Sequence, residues 1–135
     1  MIYSQVQDAL QEFAAEALSD STILILAENA RGKATIGEPW VQCTLLPATT
    51  ERLELGHGGR SAYSGIFQLN FFLPAQTGSA AGNGYADKIA AAVRESPTID
   101  MGDFSIHLTT VSRQPPRQET DWYMIPVRIE WRAYA

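Results

Sequence analysis

Histidine, cysteine and paired carboxylates are the side chains through which this sequence could do chemistry. His57 lies in the glycine-rich segment Gly56-His57-Gly58-Gly59-Arg60, and loops of this kind often carry functional residues. A general base must be held to a fraction of an ångström, and a glycine-dense loop is a poor platform for one. The segment also lacks the Gly-Lys-Ser/Thr ending of a phosphate-binding loop. We interpret it as a flexible hairpin tip.

The remaining candidates indicate surface or packing roles. His107 alternates with Ile106 and Leu108, which is typical of a residue on a sheet surface. Cys43 is the single cysteine, so the chain has no internal disulfide and no cysteine-rich metal site. It lies within a strand-like segment, where a small apolar filler is the expected role. The acidic pairs at 51/54 and 100/103 fall in polar segments. We therefore expect no catalytic residue, no metal and no cofactor.

Composition narrows the function classes further. The chain has 135 residues, 45% of them hydrophobic and 19% charged, with a net charge of −5. Its ten basic residues are scattered, which argues against nucleic-acid binding because phosphate neutralisation needs clustered cations. No apolar run approaches the roughly 20 residues that span a bilayer, and the N-terminus does not resemble a signal peptide. We expect a soluble protein that folds in the cytoplasm, without a membrane partner.

Hydrophobic periodicity predicts the elements that would position these residues. Apolar side chains recur three and four positions apart over residues 2–18 and from about 79 or 82 to 95, which predicts two amphipathic helices. Strands are predicted at 22–26, 40–46, 63–73, 104–111 and 121–134, with Pro47 ending the second. The segments 48–60 and 114–118 are predicted to be a loop and a turn.

The order of these elements indicates the fold class. Neighbouring strands with few helices between them predict an α+β fold, with a mostly antiparallel sheet and two helices packed on one face. Residues 40–46 and 63–73 would form a long protruding β-hairpin that ends in the glycine loop. Because no linker divides the chain, we expect a single domain over residues 1–135.

The last strand offers the best candidates for contact with other proteins. Tyr123, Ile125, Val127, Ile129 and Trp131 share one face. Arg128 and Arg132 lie on the other, together with Trp122, so that face is expected to meet water or a partner. Arginine and aromatic side chains are enriched at the centres of interfaces. The candidate interface residues are Arg60, His57, Trp122, Arg128 and Arg132.

Several segments also resemble a known family. Residues 40–48 (WVQCTLLPA) and 64–69 (SGIFQL), a loop with Gly78 and Gly82-Asn83-Gly84, and a closing segment from Asp121 to Trp131 are similar to those of phage tail terminator proteins of lambda-like long-tailed phages. The resemblance covers most of the chain. It implies a structural virion protein without enzymatic activity. Such a protein would lie at the head-proximal end of the tail, after assembly in the host cytoplasm.

The resemblance also implies partners. Six subunits would form a ring that caps the tail tube, stops its polymerisation and provides the surface that joins the head. The partners would be further copies of this chain, the major tail tube protein and the head-tail connector protein. DNA would pass through the ring lumen without sequence-specific recognition. A head-to-tail ring needs two different patches on each subunit.

Two alternatives stay open at the level of sequence. A head-tail neck or connector protein of the same phage would share the size and the ring behaviour. A small ligand-binding or enzymatic α+β domain that uses His57 would instead require a concave pocket with converging polar groups.

Overall fold

The computed structural model describes residues 2–21, 23–27, 38–52, 61–74, 80–118 and 122–135. These residues form two helices and seven strands. The elements are α1 (Ile2–Ala17), β1 (Leu24–Ala27), β2 (Trp40–Arg52), β3 (Ser61–Pro74), α2 (Ala80–Glu95), β4 (Thr98–Asp100), β5 (Ser105–Arg113), β6 (Arg117–Gln118) and β7 (Trp122–Tyr134).

Both helices form where the sequence predicts them, because each has one continuous apolar stripe. On α1 the buried residues are Val6, Leu10 and Ala14, each four positions from the next. On α2 they include Ile89 and Val93, and Arg94 lies in the last turn, where a cation favours the helix dipole. Pro97 follows two residues after the end of α2, as expected for a residue that cannot continue a helix.

The strands form one sheet in the order β1-β2-β3-β7-β5-β4, and β6 pairs with β7 beyond the end of β5. All pairings are antiparallel except that between β1 and β2. The predicted α+β class with a mostly antiparallel sheet is therefore confirmed. β3 is paired along its whole length with β7 on one side, from Ala62 to Pro74, and with β2 on the other. The predicted hairpin of β2 and β3 is thus built into the sheet, and its tip at 53–60 lies outside the described residues.

One face of the sheet forms the core with both helices. Phe67, Leu69 and Phe71 alternate along β3 and are fully buried, as are Val127 and Ile129 opposite them on β7. They form a single cluster with the buried residues of α1 and α2. At the edges of this cluster, the Tyr3 hydroxyl lies 2.8 Å from Thr50 Oγ1. The ring of Tyr85 stacks on Phe71 with centroids 5.2 Å apart.

The prediction that Pro47 ends the second strand is wrong, because β2 continues through it to Arg52. Proline is tolerated in a strand where no neighbour needs its missing N–H. β1 pairs with β2 only from Trp40 to Cys43, so the far edge of β2 has no described neighbour at Pro47. The pairing with β3 also shifts register immediately after Pro47, which is characteristic of a β-bulge.

Two further strands were not predicted. Residues 117–118, which the sequence assigns to a turn, form β6 and pair with Met124 and Tyr123 of β7. β4 pairs with β5 through a tight turn at Gly102, whose φ of 88° favours glycine. In that turn the Gly102 N–H donates to the Asp100 carboxylate at 2.9 Å. Both strands are two or three residues long, too short to produce a periodic pattern.

Gly65 is the position at which the sheet tolerates least change. A Cβ at this residue would lie 2.5 Å from the Leu46 carbonyl oxygen and 3.0 Å from Cζ2 of Trp131. Trp131 is 2% exposed and packs over Gly65 from β7. The absence of a side chain at Gly65 therefore makes room for both the bulge in β2 and the largest buried side chain.

We predict that Gly65→Ala lowers the free energy of unfolding by about 1–3 kcal/mol, as overpacking of a core does, because the clash involves backbone atoms that cannot rotate away. Gly84→Ala is the matched control, since its Cβ would have nothing within 4 Å. In α2 that substitution is expected to raise stability by about 0.5–1 kcal/mol. Urea unfolding of the three proteins measures both effects, and equal stability of Gly65→Ala and the wild type would contradict the packing described here.

Candidate protein-interaction surfaces

The face of the sheet opposite the helices is here called the open face. Its residues, identified by their register with β3, include Trp40, Gln42, Thr44, Leu46, Ser64, Ile66, Gln68, Asn70, Phe72, Trp122, Met124, Pro126, Arg128, Glu130 and Arg132. No described helix packs on it, and Leu46 remains 41% exposed there. Sheets with one solvated face normally place polar residues on it. The mixture of aromatic, apolar and arginine side chains on the open face departs from that pattern.

An aromatic cluster occupies one end of the open face. The rings of Trp40 and Phe72 stack with centroids 4.2 Å apart and an interplanar angle of 7°. Trp122 meets Trp40 edge-on at 6.2 Å. Trp40 therefore lies on the open face, opposite Phe72, whereas Trp131 is buried in the core. Trp122 lies among aromatic residues on the face that the sequence assigned to it.

Arginine and amide side chains continue the open face along β7 and β3. Arg128 is half-buried and donates from Nε to Gln68 Oε1 at 3.1 Å, and Gln68 donates in turn to Asn70 at 2.8 Å. This chain of bonds fixes the guanidinium of Arg128 over the sheet. Arg132 is exposed and lies opposite Ser64 and His107 in the two neighbouring strands. Arg128 and Arg132 therefore project from the same face, about 13 Å apart along the strand.

The structure places the remaining sequence candidates as follows. His57 and Arg60 lie outside the described residues. His107 is on the sheet surface as predicted, with Nδ1 3.4 Å from Thr98 Oγ1 and its ring 6.0 Å from that of Tyr134. Cys43 is fully buried on the helix-covered face, which confirms its predicted role as an apolar filler.

A second surface, here called the acidic groove, was not predicted from the sequence. It lies between α1, α2 and β4, has a volume of about 880 Å³, and carries the carboxylates of Asp8, Glu12, Glu16, Glu95 and Asp100. Apolar side chains, including Phe13, Ile99 and Met101, lie between the acidic ones. The spacing of Asp8, Glu12 and Glu16 is visible in the sequence, but their proximity to β4 depends on packing between distant elements.

Among the described residues, Lys88 is the one cation that lines the acidic groove, and its ammonium already has two partners. Its ammonium donates to the Asp20 carboxylate at 3.2 Å and to the Ser21 hydroxyl at 2.6 Å. These contacts tie α2 to the segment after α1. With five carboxylates and this one cation among its described lining residues, the groove has an excess of negative charge.

In the part of the chain that the structure describes, no group of three or more histidine, cysteine, aspartate or glutamate side chains could hold a metal ion. The helices of the same residues are too short or too polar to cross a membrane.

The structure defines the class of the protein as an α+β domain with an open sheet face and an acidic groove. The family comparison is more specific. A family described as "Phage tail terminator protein" matches residues 5–131, so the chain belongs to the phage tail terminator family, a family of structural proteins of phage tails. This confirms the resemblance found in the sequence.

A comparison with solved structures shows that the fold occurs in another protein. One solved structure superposes with a TM-score of 0.70 at 18% sequence identity, over 98% of this chain and 92% of the other. At that identity the likeness shows a shared fold and nothing about function. Among curated proteins, none has a significant sequence match to this chain.

The buried thiol gives a prediction about pH. Burial raises the pKa of Cys43 from its ordinary value of 9.0 to about 12, because the folded protein cannot solvate a thiolate at this position. Between these values the folded state keeps the proton and the unfolded state releases it, so stability falls as the pH rises above about 9. The expected loss is about 1.4 kcal/mol for each pH unit within that window.

Urea unfolding of wild type and Cys43→Ala between about pH 8 and pH 10.5 measures this contribution. Other titrating groups act equally in both proteins, so the difference between the two free energies isolates the thiol. We expect the advantage of the wild type to shrink as the pH rises. A difference that stays constant over this range would contradict the assignment of Cys43 as a buried, protonated filler.

Proposed function

We propose that this chain is the subunit of a six-membered, head-to-tail ring that caps the finished tail tube. The ring stops tube polymerisation at the head-proximal end of the tail and offers its other side to the head-tail connector protein. DNA passes through its lumen without sequence-specific recognition. Each subunit then contacts further copies of the chain, the major tail tube protein and the connector.

The open face is the observation that carries this proposal. It combines the aromatic cluster of Trp40, Phe72 and Trp122 with the arginines at 128 and 132, a composition found at the centres of protein interfaces. Trp122 and Arg132 are ten residues apart on one strand, which is about 33 Å. A surface of that length fits a standard contact, which buries about 800 Å² on each partner.

The distribution of surfaces also supports a ring. In a closed ring of identical subunits joined head to tail, each subunit uses two different patches. The open face and the acidic groove lie on different sides of the chain, because the groove is formed by the helices that cover the opposite face of the sheet. One subunit is therefore able to contact two neighbours without competition between them.

The first test of the proposed function is the mass of the purified protein across a wide concentration range, measured by light scattering with negative-stain imaging of the same samples. We expect particles of six times the 14.8 kDa chain mass, seen as rings with a central hole. The same samples are then added to tubes assembled from the major tail tube protein. We expect rings at one tube end and an arrest of further growth.

Two outcomes would contradict this function. Protein that neither forms rings nor binds tube ends would exclude a terminator role. Rings that bind the connector protein but leave tube growth unchanged would favour the neck-protein alternative.

A single arginine substitution tests the open face as a ring contact. We predict that Arg132→Ala changes the free energy of unfolding by no more than about 0.5 kcal/mol, as is usual for exposed residues. Ring assembly should need on the order of ten times more protein, because arginine is enriched among the interface residues whose truncation costs more than about 1 kcal/mol. Arg94→Ala is the matched control, since Arg94 is exposed at the end of α2 and lies on neither surface. Equal assembly of the two variants would exclude Arg132 from the contact.

A further inference from the structure

The carboxylates on α1 are spaced so that their mutual repulsion destabilises the helix that carries them. Asp8, Glu12 and Glu16 are each four residues apart, a spacing at which like charges cost about 0.2–0.5 kcal/mol for each pair. Glu16 lies in the last turn of α1, which carries no basic residue, although the helix dipole favours cations there. The ion pair of Lys88 with Asp20 does not involve the row. Helix stability therefore does not explain this row.

The position of the row in the fold suggests a binding role for its carboxylates. It forms one wall of the acidic groove, Glu95 and Asp100 add negative charge from α2 and β4, and Phe13 and Ile99 provide apolar surface between them. A groove with this lining fits cationic side chains whose long apolar stems pack on its floor while their heads reach the walls. Arginine has these properties, and its planar guanidinium pairs well with carboxylates.

The same chain carries two such arginines on its open face, and the distance between them matches the length of the carboxylate row. Four residues of strand separate Arg128 from Arg132, about 13 Å. Eight residues of helix separate Asp8 from Glu16, about 12 Å. The bond from Arg128 to Gln68 at 3.1 Å holds one of the two guanidinium groups in place before any contact forms, which lowers the entropy lost on binding.

We propose that the acidic groove of one subunit receives Arg128 and Arg132 from the open face of the next copy of this chain. The proposal rests on the ring of the proposed function and names the two patches that meet in it. Because the patches differ, each contact leaves one free groove and one free open face, and the contacts close into a ring when the rotation from one subunit to the next allows it.

Charge exchange between two variants tests this pairing. The groove variant is Asp8→Lys with Glu16→Lys, and the face variant is Arg128→Glu with Arg132→Glu. Each alone should assemble on the order of 100-fold more weakly than the wild type, because like charges then meet at every contact. In an equal mixture every contact joins opposite charges again when the two variants alternate. The mixture should therefore form rings, and native mass spectrometry should count three subunits of each kind.

Controls separate charge from folding. Asp87→Lys with Asp103→Lys changes the same number of exposed acidic residues outside the groove, and it should assemble like the wild type. Thermal unfolding checks that each variant is folded. Arg132→Glu alone replaces the double face variant if loss of the Arg128 bond to Gln68 prevents folding.

The results separate a failure of the proposed function from a failure of the pairing alone. A wild type that forms no rings and caps no tubes contradicts the proposed function and this pairing together. A wild type that forms rings while the groove variant also forms them contradicts the pairing alone. Groove-variant rings that no longer cap tubes would assign the groove to the tube protein instead. Folded variants that fail to assemble in the mixture would also overturn the pairing.

Discussion

The fold depends on the two-residue alternation of β3 from Gly65 to Phe71, where the strand is paired with β2 on one edge and with β7 on the other. Phe67, Leu69 and Phe71 point to the helices, and Gln68 and Asn70 point away from them. A shift of one residue would exchange these two sets, placing amides in the core and phenylalanines in water. The same register brings Gln68 beside Arg128, so the alternation that builds the core also orders the arginine on the open face.

Elements governed by local periodicity were predictable from the sequence, and those governed by neighbours were not. The helices and the long strands follow from apolar spacing, but the continuation of β2 through Pro47 depends on the absence of a described neighbour at that edge. Pro126 illustrates the same principle within a strand. Its carbonyl accepts from the Gln114 N–H at 2.8 Å, so its ring nitrogen faces the gap between β5 and β6, where no hydrogen bond is lost.

Of the two candidate surfaces, one was predictable from local periodicity and the other was not. Trp122, Arg128 and Arg132 were assigned to one face from the sequence because that assignment needs only the alternation of a single strand. The acidic groove requires α1, α2 and β4 to come together, and β4 itself is only three residues long. Sequence periodicity reveals which way a side chain of α1 points, but not which distant side chains it meets. Glu95 and Asp100 could join that row only through long-range packing.

The composition of these surfaces also limits indiscriminate association between subunits. Large exposed apolar patches drive association indiscriminately. Within the described residues, however, the two large apolar side chains left most exposed are Leu24 and Leu46, at 42% and 41%. Contacts between carboxylates and arginines are weak while water and salt screen them, with a screening length of about 8 Å at physiological ionic strength. They strengthen when neighbouring surfaces exclude water. A ring joined in this way would form most readily where a template already holds its subunits side by side, which would restrict capping to the tube end.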